Sequence, residues 1–547
     1  MPSLLLGPIL RYVSESEATV WVETSAPCEV AVAGATTRTF EVEGHHYAVV
    51  HVAGLAPGSD HLYDVELDGE HRWPEPGSGF PPSSIRTPSP NGAFRLGFGS
   101  CRMALPHEPP FTLSASQDPR GHGIDALRAL ALRMAKSPPE TWPDALLMLG
   151  DQIYADDLSP AMKAVAGSRE DTDPSPKDEV YGFSEFALAY REAWIEPAIR
   201  WLLSTVPTLM VFDDHEIHAE WKISQQWLDE KRREPWYEQR VTDGLMAYWI
   251  YQHLGNLTPE ELAESDVLER VRAADDAADV LRAFARDADR QAGASRWSFC
   301  RDLGHSRLIV IDSRAGRELA PGKRRMVDDE EWAWIEEHAS GDFDHLLLAS
   351  SVPFLLGPGL HHLEAWNEAV CDGAWGRWVA RLGERLRRIA VLDHWASFQA
   401  SLRRVTALLE AAATGRLGAP PRSLLLLSGD VHHSYLAEVG FRVGTGARSA
   451  VWQVVCSPYR KELAPREKLT MRFANSRAGE AIGCLLARLV GSADQRIRWR
   501  IVGDPSYENH VATLDLAPGR AELLIETTAG SDWRRPELGR EFEHLLA

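Results

Sequence analysis

The chain has 547 residues and a formal net charge of −21, with 58 Lys and Arg against 79 Asp and Glu. This length exceeds one ordinary hydrophobic core, so two or more domains are expected. The acidic balance argues against nucleic acid or an anionic membrane as the main partner. No apolar run approaches the roughly 20 residues that span a bilayer, so we expect no membrane span.

The amino terminus lacks the features of a secretory signal. Residues 1–8 carry no positively charged segment, and their apolar stretch is short. The six cysteines are scattered, which predicts neither a zinc ribbon nor a dense disulfide framework. We therefore expect a reducing, cytoplasmic location.

Residues 1–90 are predicted to form a small all-β domain with its linker. Runs such as 18–23 and 47–52 alternate apolar and polar side chains, and Gly or Pro separates them at short intervals. This pattern is typical of an antiparallel β-sandwich of the fibronectin or immunoglobulin type. Residues 74–90 are rich in Pro, Gly and Ser, which indicates the linker.

Residues 91–547 show an α/β pattern, in which buried strands alternate with helical segments. Residues 124–135 and 184–203 are each predicted to form one helix. The charged, alanine-rich region 220–295 is predicted to be a helical insertion. Residues 510–528 alternate like two antiparallel strands that close a sheet at its edge.

Four apolar runs of this second region end in residues that bind metals. In open α/β sheets, ligands bind at the carboxyl ends of the strands. Thiol, phenol, imidazole and carboxylates converging there describe a metal centre. The four strand ends are Ser100-Cys101-Arg102, Gly150-Asp151-Gln152-Ile153-Tyr154, Asp213-Asp214-His215-Glu216 and Asp430-Val431-His432-His433.

The side chains at these ends suit hard and borderline ions. Asp151 has two oxygens with which to bridge two ions, and the phenol of Tyr154, three residues later, favours Fe(III). Two adjacent acids repel one another, a cost best understood if Asp214 binds a cation. Asp430 and His432 are two residues apart and share one side of an extended backbone.

Each motif also has a purely structural interpretation. Asp151 and Tyr154 could belong to a capped turn with a packed tyrosine. Asp213 or Asp214 could cap a helix that begins at His215. Cys101 could be a small buried apolar residue. The occurrence of four motifs at four strand ends favours the metal centre.

The ordered set of motifs resembles the alkaline phosphatase D (PhoD-like) family of metallophosphoesterases. The resemblance covers most of the chain and extends to Ile311-Asp312-Ser313-Arg314-Ala315-Gly316-Arg317 and to Asp393-His394-Trp395. It implies a four-layer αββα domain over residues 91–547, preceded by the β-sandwich.

The resemblance also implies a centre containing Fe(III) and one or more Ca(II) ions. By similarity to this family and to purple acid phosphatases, Asp151 would lie between the metals. Cys101, Tyr154 and His432 would surround the iron, and Asp214 and Asp430 would hold the second ion. The wider superfamily usually has Asn at the position of Asp214 and His at that of Asp430. An oxygen-rich second site favours Ca(II), Mn(II) or Mg(II) over Zn(II).

The implied activity is hydrolysis of a small-molecule phosphate ester by a phosphatase or phosphodiesterase. Cations would neutralise the phosphate oxygens and acidify a bound water, which attacks phosphorus in line with the leaving group. His215 is expected to stabilise the transition state or protonate the leaving oxygen. Arg102 and Arg314 are expected as phosphate clamps, although surface salt bridges would explain them equally well.

Two other functions remain open from the sequence. The chain could be a non-catalytic, metal-containing protein whose β-sandwich binds a partner. It could also be an iron dioxygenase, but the two histidines and one carboxylate of that site form no evident cluster here.

Overall fold

The protein is described from a computed structural model that covers residues 1–89, 92–169, 175–320, 322–492 and 496–547. The predicted mixed α/β fold with an amino-terminal all-β region is confirmed. Residues 90 and 91, at the predicted domain boundary, lie outside the described residues. Within the described residues, no helix combines the length and the apolar character needed to cross a membrane.

The amino-terminal region contains ten strands. Two four-stranded antiparallel sheets, with strand orders β1-β2-β6-β5 and β4-β3-β8-β9, enclose an apolar core that includes Val20, Val30 and Val50. Strands β1–β10 comprise Leu4–Val13, Glu17–Thr24, Glu29–Val32, Ala35–Arg38, Phe40–Val42, His45–Ala53, Asp60–Leu62, Val65–Leu67, Glu70–Trp73 and Ser84–Arg86.

The segment predicted as a linker is partly built into this region. Strand β10 pairs with β7, and the Trp201 indole donates a hydrogen bond to the carbonyl of Pro81 at 2.8 Å. Residues 74–89 therefore pack against the second region of the chain.

The second region begins with three parallel strands and their connecting helices. Its first elements are β11 (Phe94–Gly99), α1 (Ala126–Met134), β12 (Ala145–Leu149), α2 (Pro160–Gly167), α3 (Phe183–Trp194), α4 (Pro197–Thr205) and β13 (Thr208–Val211). The single helix predicted over 184–203 is thus two helices. Glu196 accepts a hydrogen bond from the backbone of Ile199, and Pro197 follows it, which starts a new helix.

Helices occupy most of the predicted insertion. A π-helical turn, Trp249–His253, connects α6 and α7. The helices are α5 (Gln225–Lys231), α6 (Tyr237–Tyr248), α7 (Leu254–Asn256), α8 (Pro259–Glu264), α9 (Asp266–Ala273) and α10 (Ala278–Arg290).

The remaining elements complete two sheets. They are β14 (Phe299–Leu303), β15 (Ser306–Ile311), α11 (Asp329–His338), β16 (His345–Ser350), α12 (Pro358–Cys371), α13 (Arg377–Ile389), α14 (Gln399–Thr414), β17 (Ser423–Ser428), β18 (Ser434–Phe441), β19 (Ala450–Val455), α15 (Pro465–Ala474), α16 (Arg477–Leu489), β20 (Ile497–Ser506), β21 (His510–Ala517), β22 (Arg520–Thr527) and β23 (Gly539–Leu545).

The two sheets pack face to face between outer layers of helices. Their strand orders are β13-β12-β11-β21-β22-β23 and β14-β15-β16-β17-β19-β18-β20. Leu147 of β12 and Leu425 of β17 belong to the core between the sheets, whereas Leu146 and Leu424 face the helices. Because successive side chains of a strand point to opposite faces, strands buried on both faces are continuously apolar.

A buried arginine joins the amino-terminal region to the second region. The guanidinium of Arg11 donates to the carbonyls of Tyr251 and Gln252 at 2.8 and 2.6 Å and to the side chain of Asn256 at 3.2 Å. Arg11 is fully buried. Its hydrogen bonds end on the π-helical turn and on α7, so the β-sandwich is tied to the insertion by polar as well as apolar contacts.

We predict that Arg11→Ala destabilises the whole chain. The substitution leaves several buried carbonyl oxygens without a donor, which should cost about 3 kcal/mol. A lowered midpoint of thermal unfolding would measure this loss. Arg38→Ala, which removes an exposed arginine of the same region, is the control and should change the midpoint little. Equal midpoints for the two variants would contradict the prediction.

Candidate metal centre

The four predicted strand ends meet at one place in the structure. Strands β11, β12 and β13 are parallel neighbours, and β17 arrives from the facing sheet. The approach is close, since a Cβ added at Gly429 would lie 2.2 Å from Ser100 Oγ. The backbone N–H of Cys101 donates to the carbonyl of Gly150 at 3.1 Å. Between the sheets, the backbone N–H of Asp430 donates to Ser100 Oγ at 3.1 Å, so the ends of β11 and β17 are joined directly.

Four candidate ligands occupy strained backbone positions. Cys101, Asp151, Asp430 and His432 have φ angles of 57°, 54°, 65° and 50°. This left-handed region is unfavourable for residues with a side chain. Cys101 and Asp151 lie two residues after β11 and β12, and Asp430 and His432 lie in the connection between β17 and β18.

The side chains form two overlapping groups of donor atoms. Ligand atoms of Cys101, Asp151 and His432 all lie within 4.8 Å of one another, and so do those of Asp151, Asp213 and Asp214. Asp151 belongs to both groups. A carboxylate shared by two donor sets has the arrangement expected of a bridging ligand.

Several polar atoms at this place lack protein partners. Within the described residues, both carboxylate oxygens of Asp151, Oδ2 of Asp213 and the hydroxyl of Tyr154 are buried without a hydrogen bond. Burying unpaired polar groups costs free energy. Sulfur, imidazole and phenol beside carboxylates suit a ferric ion next to a hard divalent ion. The residues present therefore fit a metal centre.

Burial disfavours the charged forms of Asp151, Cys101 and His432 when no cation is present. It raises the pKa of Asp151 to about 6, and the charges of Asp214 and Asp430 add to this effect while His215 opposes it. Burial also raises the pKa of the Cys101 thiol well above its usual value and lowers the pKa of His432 to about 3. A bound cation would reverse the first two shifts, because metals bind the deprotonated ligands.

Glu216 holds the strand ends together through their backbones. Its carboxylate accepts hydrogen bonds from the N–H groups of Asp151, Gln152 and Asp213 at 3.0, 2.7 and 2.6 Å. It also accepts one from the side-chain amide of Gln252 at 2.9 Å. Glu216 was not predicted as functional, although it is the last residue of the predicted motif Asp213-Asp214-His215-Glu216.

The structural interpretation of this motif, in which an acid caps a helix, also holds for Asp213. Asp213 precedes a short 3₁₀ turn, Asp214–Glu216, and accepts a hydrogen bond from the N–H of Asp214 at 2.9 Å. Its second oxygen still faces the donor set. Asp213 thus caps the turn and also offers a ligand atom. In the sequence, only the pair of adjacent acids could have indicated that Asp213 is a ligand.

His215 is held by a carboxylate that the sequence analysis missed. Its Nδ1 lies 2.7 Å from Oδ1 of Asp156, and its ring centre lies 4.7 Å from that of Tyr154. Burial opposes protonation of His215, but the carboxylates of Asp156 and Asp151 raise its pKa to about 10. Because Nδ1 is occupied, Nε2 is the nitrogen left for a ligand. Nothing in the sequence marks Asp156 apart from its distance of five residues from Asp151.

Asp430 faces a second group of buried charges. Its Oδ2 lies 3.0 Å from Nε2 of His394, whose Nδ1 lies 2.7 Å from Glu364. Its Oδ1 lies 3.7 Å from Nη2 of Arg314. The structure thus brings Asp430 to the same sheet ends, but its carboxylate is outside the two close groups of donors. His394 had no predicted role.

The two arginines predicted as phosphate clamps are both engaged in the interior. Arg102 is buried and donates to Asp125 at 2.9 Å and to the carbonyl of Ala193 at 2.5 Å. Arg314 is buried against Asp213 and Asp393. Neither guanidinium faces solvent, because each compensates buried acids, and this geometry argues against the predicted clamps.

Lys461 is the cation that lies at the edge of the centre. Its Nζ lies 4.0 Å from the centre of the Tyr154 ring and 2.8 Å from Asp157. Its side chain is 14% exposed, so it can reach a ligand that enters from solvent. Lys461 was not among the predicted site residues.

Comparisons with known proteins agree with the geometry. Residues 129–483 match the model of a family described as PhoD-like phosphatase, and residues 1–85 match a domain of unknown function, DUF7800. No curated protein matches the sequence of the chain.

Two solved structures also align with most of the chain. A structure of PhoD has a TM-score of 0.59 and 12% identity, and the match covers 100% of this chain and 90% of that one. A purple acid phosphatase, PPD1, from seeds of yellow lupin (Lupinus luteus) has a TM-score of 0.45 and 11% identity, over 98% of this chain and 73% of that one. At such identity the match to PhoD shows a shared fold.

Proposed function

The chain belongs to the PhoD-like phosphatase family, as its strand-end motifs predicted, and we propose that it hydrolyses phosphate esters at the centre described above. The family makes it a metal-dependent phosphoesterase. The observation that carries the proposal is the convergence of a thiol, a phenol, an imidazole and carboxylates around buried oxygens without partners.

We assign the ligands by their position. Cys101, Tyr154 and His432 would hold Fe(III), with Asp151 shared between the two groups. Asp214, joined by Asp213, would hold Ca(II), Mn(II) or Mg(II), and Asp430 stays a predicted ligand of this ion. With both ions bound, the centre would screen the charge of the phosphate and acidify a water molecule for attack at phosphorus.

The side chains around the centre supply the remaining interactions. Lys461 can donate to a phosphate oxygen, since its ammonium lies beside Tyr154 at the solvent edge. His215 presents Nε2 while Asp156 fixes its ring, so it can donate a proton to the leaving oxygen. The side chain of Asp156 is only 7% exposed, which keeps the ring of His215 in place as substrate arrives.

The metal content tests the ligand assignment. Purified protein is expected to contain iron and a hard divalent ion, with an absorption band from thiolate or phenolate to Fe(III). Tyr154→Phe or Cys101→Ala should remove the band, whereas Cys456→Ala, which removes another buried thiol, should keep it. Elemental analysis and visible spectroscopy measure both. Active, colourless protein containing only zinc would contradict the assignment.

The second ion should be the more easily removed. Arg314 already faces Asp214 at 3.4 Å and Asp430 at 3.7 Å, so a divalent ion shares these carboxylates with a fixed positive charge. Dialysis against a chelator should therefore remove the divalent ion before the iron. Loss of iron first would show that the two sites are assigned the wrong way round.

The role of His215 can be tested with esters that differ in their leaving groups. His215→Ala should retain both metals and lower turnover roughly 100- to 10,000-fold on esters with poor leaving groups. The loss should be smaller on nitrophenyl esters, whose leaving oxygen needs no proton. Asp156→Asn should give a weaker form of the same pattern, because it disturbs the orientation of the ring.

His218→Ala is the matched control for this series. His218 lies three residues away and bonds the carbonyl of Ala219 at 2.7 Å, outside the donor set. Its replacement should change turnover little on either kind of ester. If His215→Ala releases metal, or slows good and poor leaving groups equally, the proposed role is wrong.

A further inference from the structure

The exposed apolar side chains of the protein are concentrated in two short segments. Fifteen large apolar side chains are exposed among the described residues, and ten of them lie within residues 375–391 and 469–489. Single exposed apolar residues are ordinary, but such clustering marks an interaction surface.

The first cluster is one face of α13. Trp378, Leu382 and Ile389 are 79%, 62% and 83% exposed, and their spacing of four and seven residues places them on one side of the helix. Another side faces α12, where the amide of Asn367 donates to the carbonyl of Gly383 at 2.8 Å. The apolar face of α13 is thus directed away from the protein.

The second cluster lies on α15 and α16. Leu469 and Phe473 of α15 are exposed four residues apart. On α16 the exposed apolar residues are Ile482, Leu485 and Leu489. This helix packs closely on α12, because a Cβ added at Gly483 would lie 2.5 Å from the carbonyl oxygen of Gly359. Helices α13 and α16 therefore both pack on α12, which is only about 21 Å long, and the two clusters lie on helices that share this neighbour.

The charge of this region is opposite to that of the whole chain. Helix α13 contains five arginines and one glutamate, and Glu384 pairs with Arg387 and Arg388. Its exposed arginines form no ion pair within the described residues; they are Arg377, Arg381 and Arg385. Helices α15 and α16 together hold five basic and two acidic residues, in a chain whose net charge is −21.

We propose that α13, α15 and α16 form a docking surface for an anionic lipid bilayer. Helices with an apolar face carrying Trp, Phe and Leu beside arginines lie in the interface of such membranes. The apolar side chains would enter the headgroup region while the arginines contact the lipid anions. The net charge of the whole chain argued against an anionic membrane as a partner. That charge is an average over the surface, and it does not reveal a locally basic region.

A second copy of the chain is the less favourable occupant. In a two-fold symmetric dimer the same patch meets itself, so the exposed arginines of α13 would face one another. Like charges brought together in an apolar interface are destabilising. Lipid anions supply the opposite charge, and this complementarity decides between the two partners.

Two connections link the docking surface with the metal centre. Glu364 of α12 contacts His394, which contacts Asp430. Helix α15 begins at Pro465, four residues after Lys461. The proposed bilayer contact is thus connected to the centre through α12 and through the short segment between Lys461 and Pro465.

Vesicle binding tests the proposal independently of catalysis. The full chain should float with vesicles of phosphatidylcholine and phosphatidylserine, bind less well at high salt, and bind poorly to phosphatidylcholine alone. The triple variant Trp378→Ser, Leu382→Ser, Ile389→Ser should bind at least about tenfold more weakly. The triple variant Arg377→Gln, Arg381→Gln, Arg385→Gln should lose most of the dependence on salt.

The matched control removes three exposed apolar residues elsewhere. Leu62→Ser, Val443→Ser and Leu545→Ser, which replace residues of comparable exposure, should leave vesicle binding unchanged. Unchanged thermal midpoints would show that all variants fold. Absence of binding to anionic vesicles, or equal binding by the α13 variants, would overturn the proposal. So would a dimer, seen by light scattering, that the α13 variants convert to monomer without any vesicle binding.

Discussion

Several carboxylates are buried in one small volume, and the rest of the site depends on how their charges are balanced. These are Asp151, Asp213, Asp214 and Asp393, together with Asp430, whose side chain is 18% exposed. One guanidinium, that of Arg314, contacts four of them. Asp151 has no such partner, and its oxygens form no hydrogen bond within the described residues. Uncompensated negative charge is thus left on the side where the thiol, the phenol and His432 lie, which is where a cation is stabilised most.

A series of buried hydrogen bonds holds the backbone that carries these carboxylates. Glu216 joins the ends of β12 and β13 and accepts a hydrogen bond from Gln252. Gln252 belongs to the π-helical turn, whose carbonyls accept hydrogen bonds from Arg11. π-Helical turns are often found at functional sites. None of the candidate ligands belongs to the β-sandwich, yet this region is joined to the centre by three successive buried contacts.

The sequence predicts the positions of the strand ends well, for a physical reason. Strands buried on both faces must be apolar throughout, so a polar residue such as Asp151 or Asp430 marks where a strand ends. The partners of these residues are harder to predict. Asp156 and His394 reach the site from loops, and their roles depend on side-chain directions that no local periodicity encodes.

The surroundings of Arg102 and Arg314 and the exposed face of α13 are difficult to predict from sequence for related reasons. Arg102 and Arg314 stand beside motifs in the sequence, but proximity in sequence does not show whether a guanidinium faces solvent or a buried acid. The exposed face of α13 has the same apolar spacing as a helix that packs on a core. Only the three-dimensional structure shows that α13 packs on α12 through another side, the one that carries Gly383.

The strained backbone at the centre bears on whether the site is merely structural. Cys101, Asp151, Asp430 and His432 all adopt left-handed conformations that glycine would adopt at lower cost. A turn that served the fold alone would be more stable with glycine at these positions. The side chains therefore have a use that outweighs the strain. Because they carry the donor atoms for a cation, the strain places those atoms before any ion arrives, and preorganisation of this kind lowers the free-energy cost of assembling a metal centre.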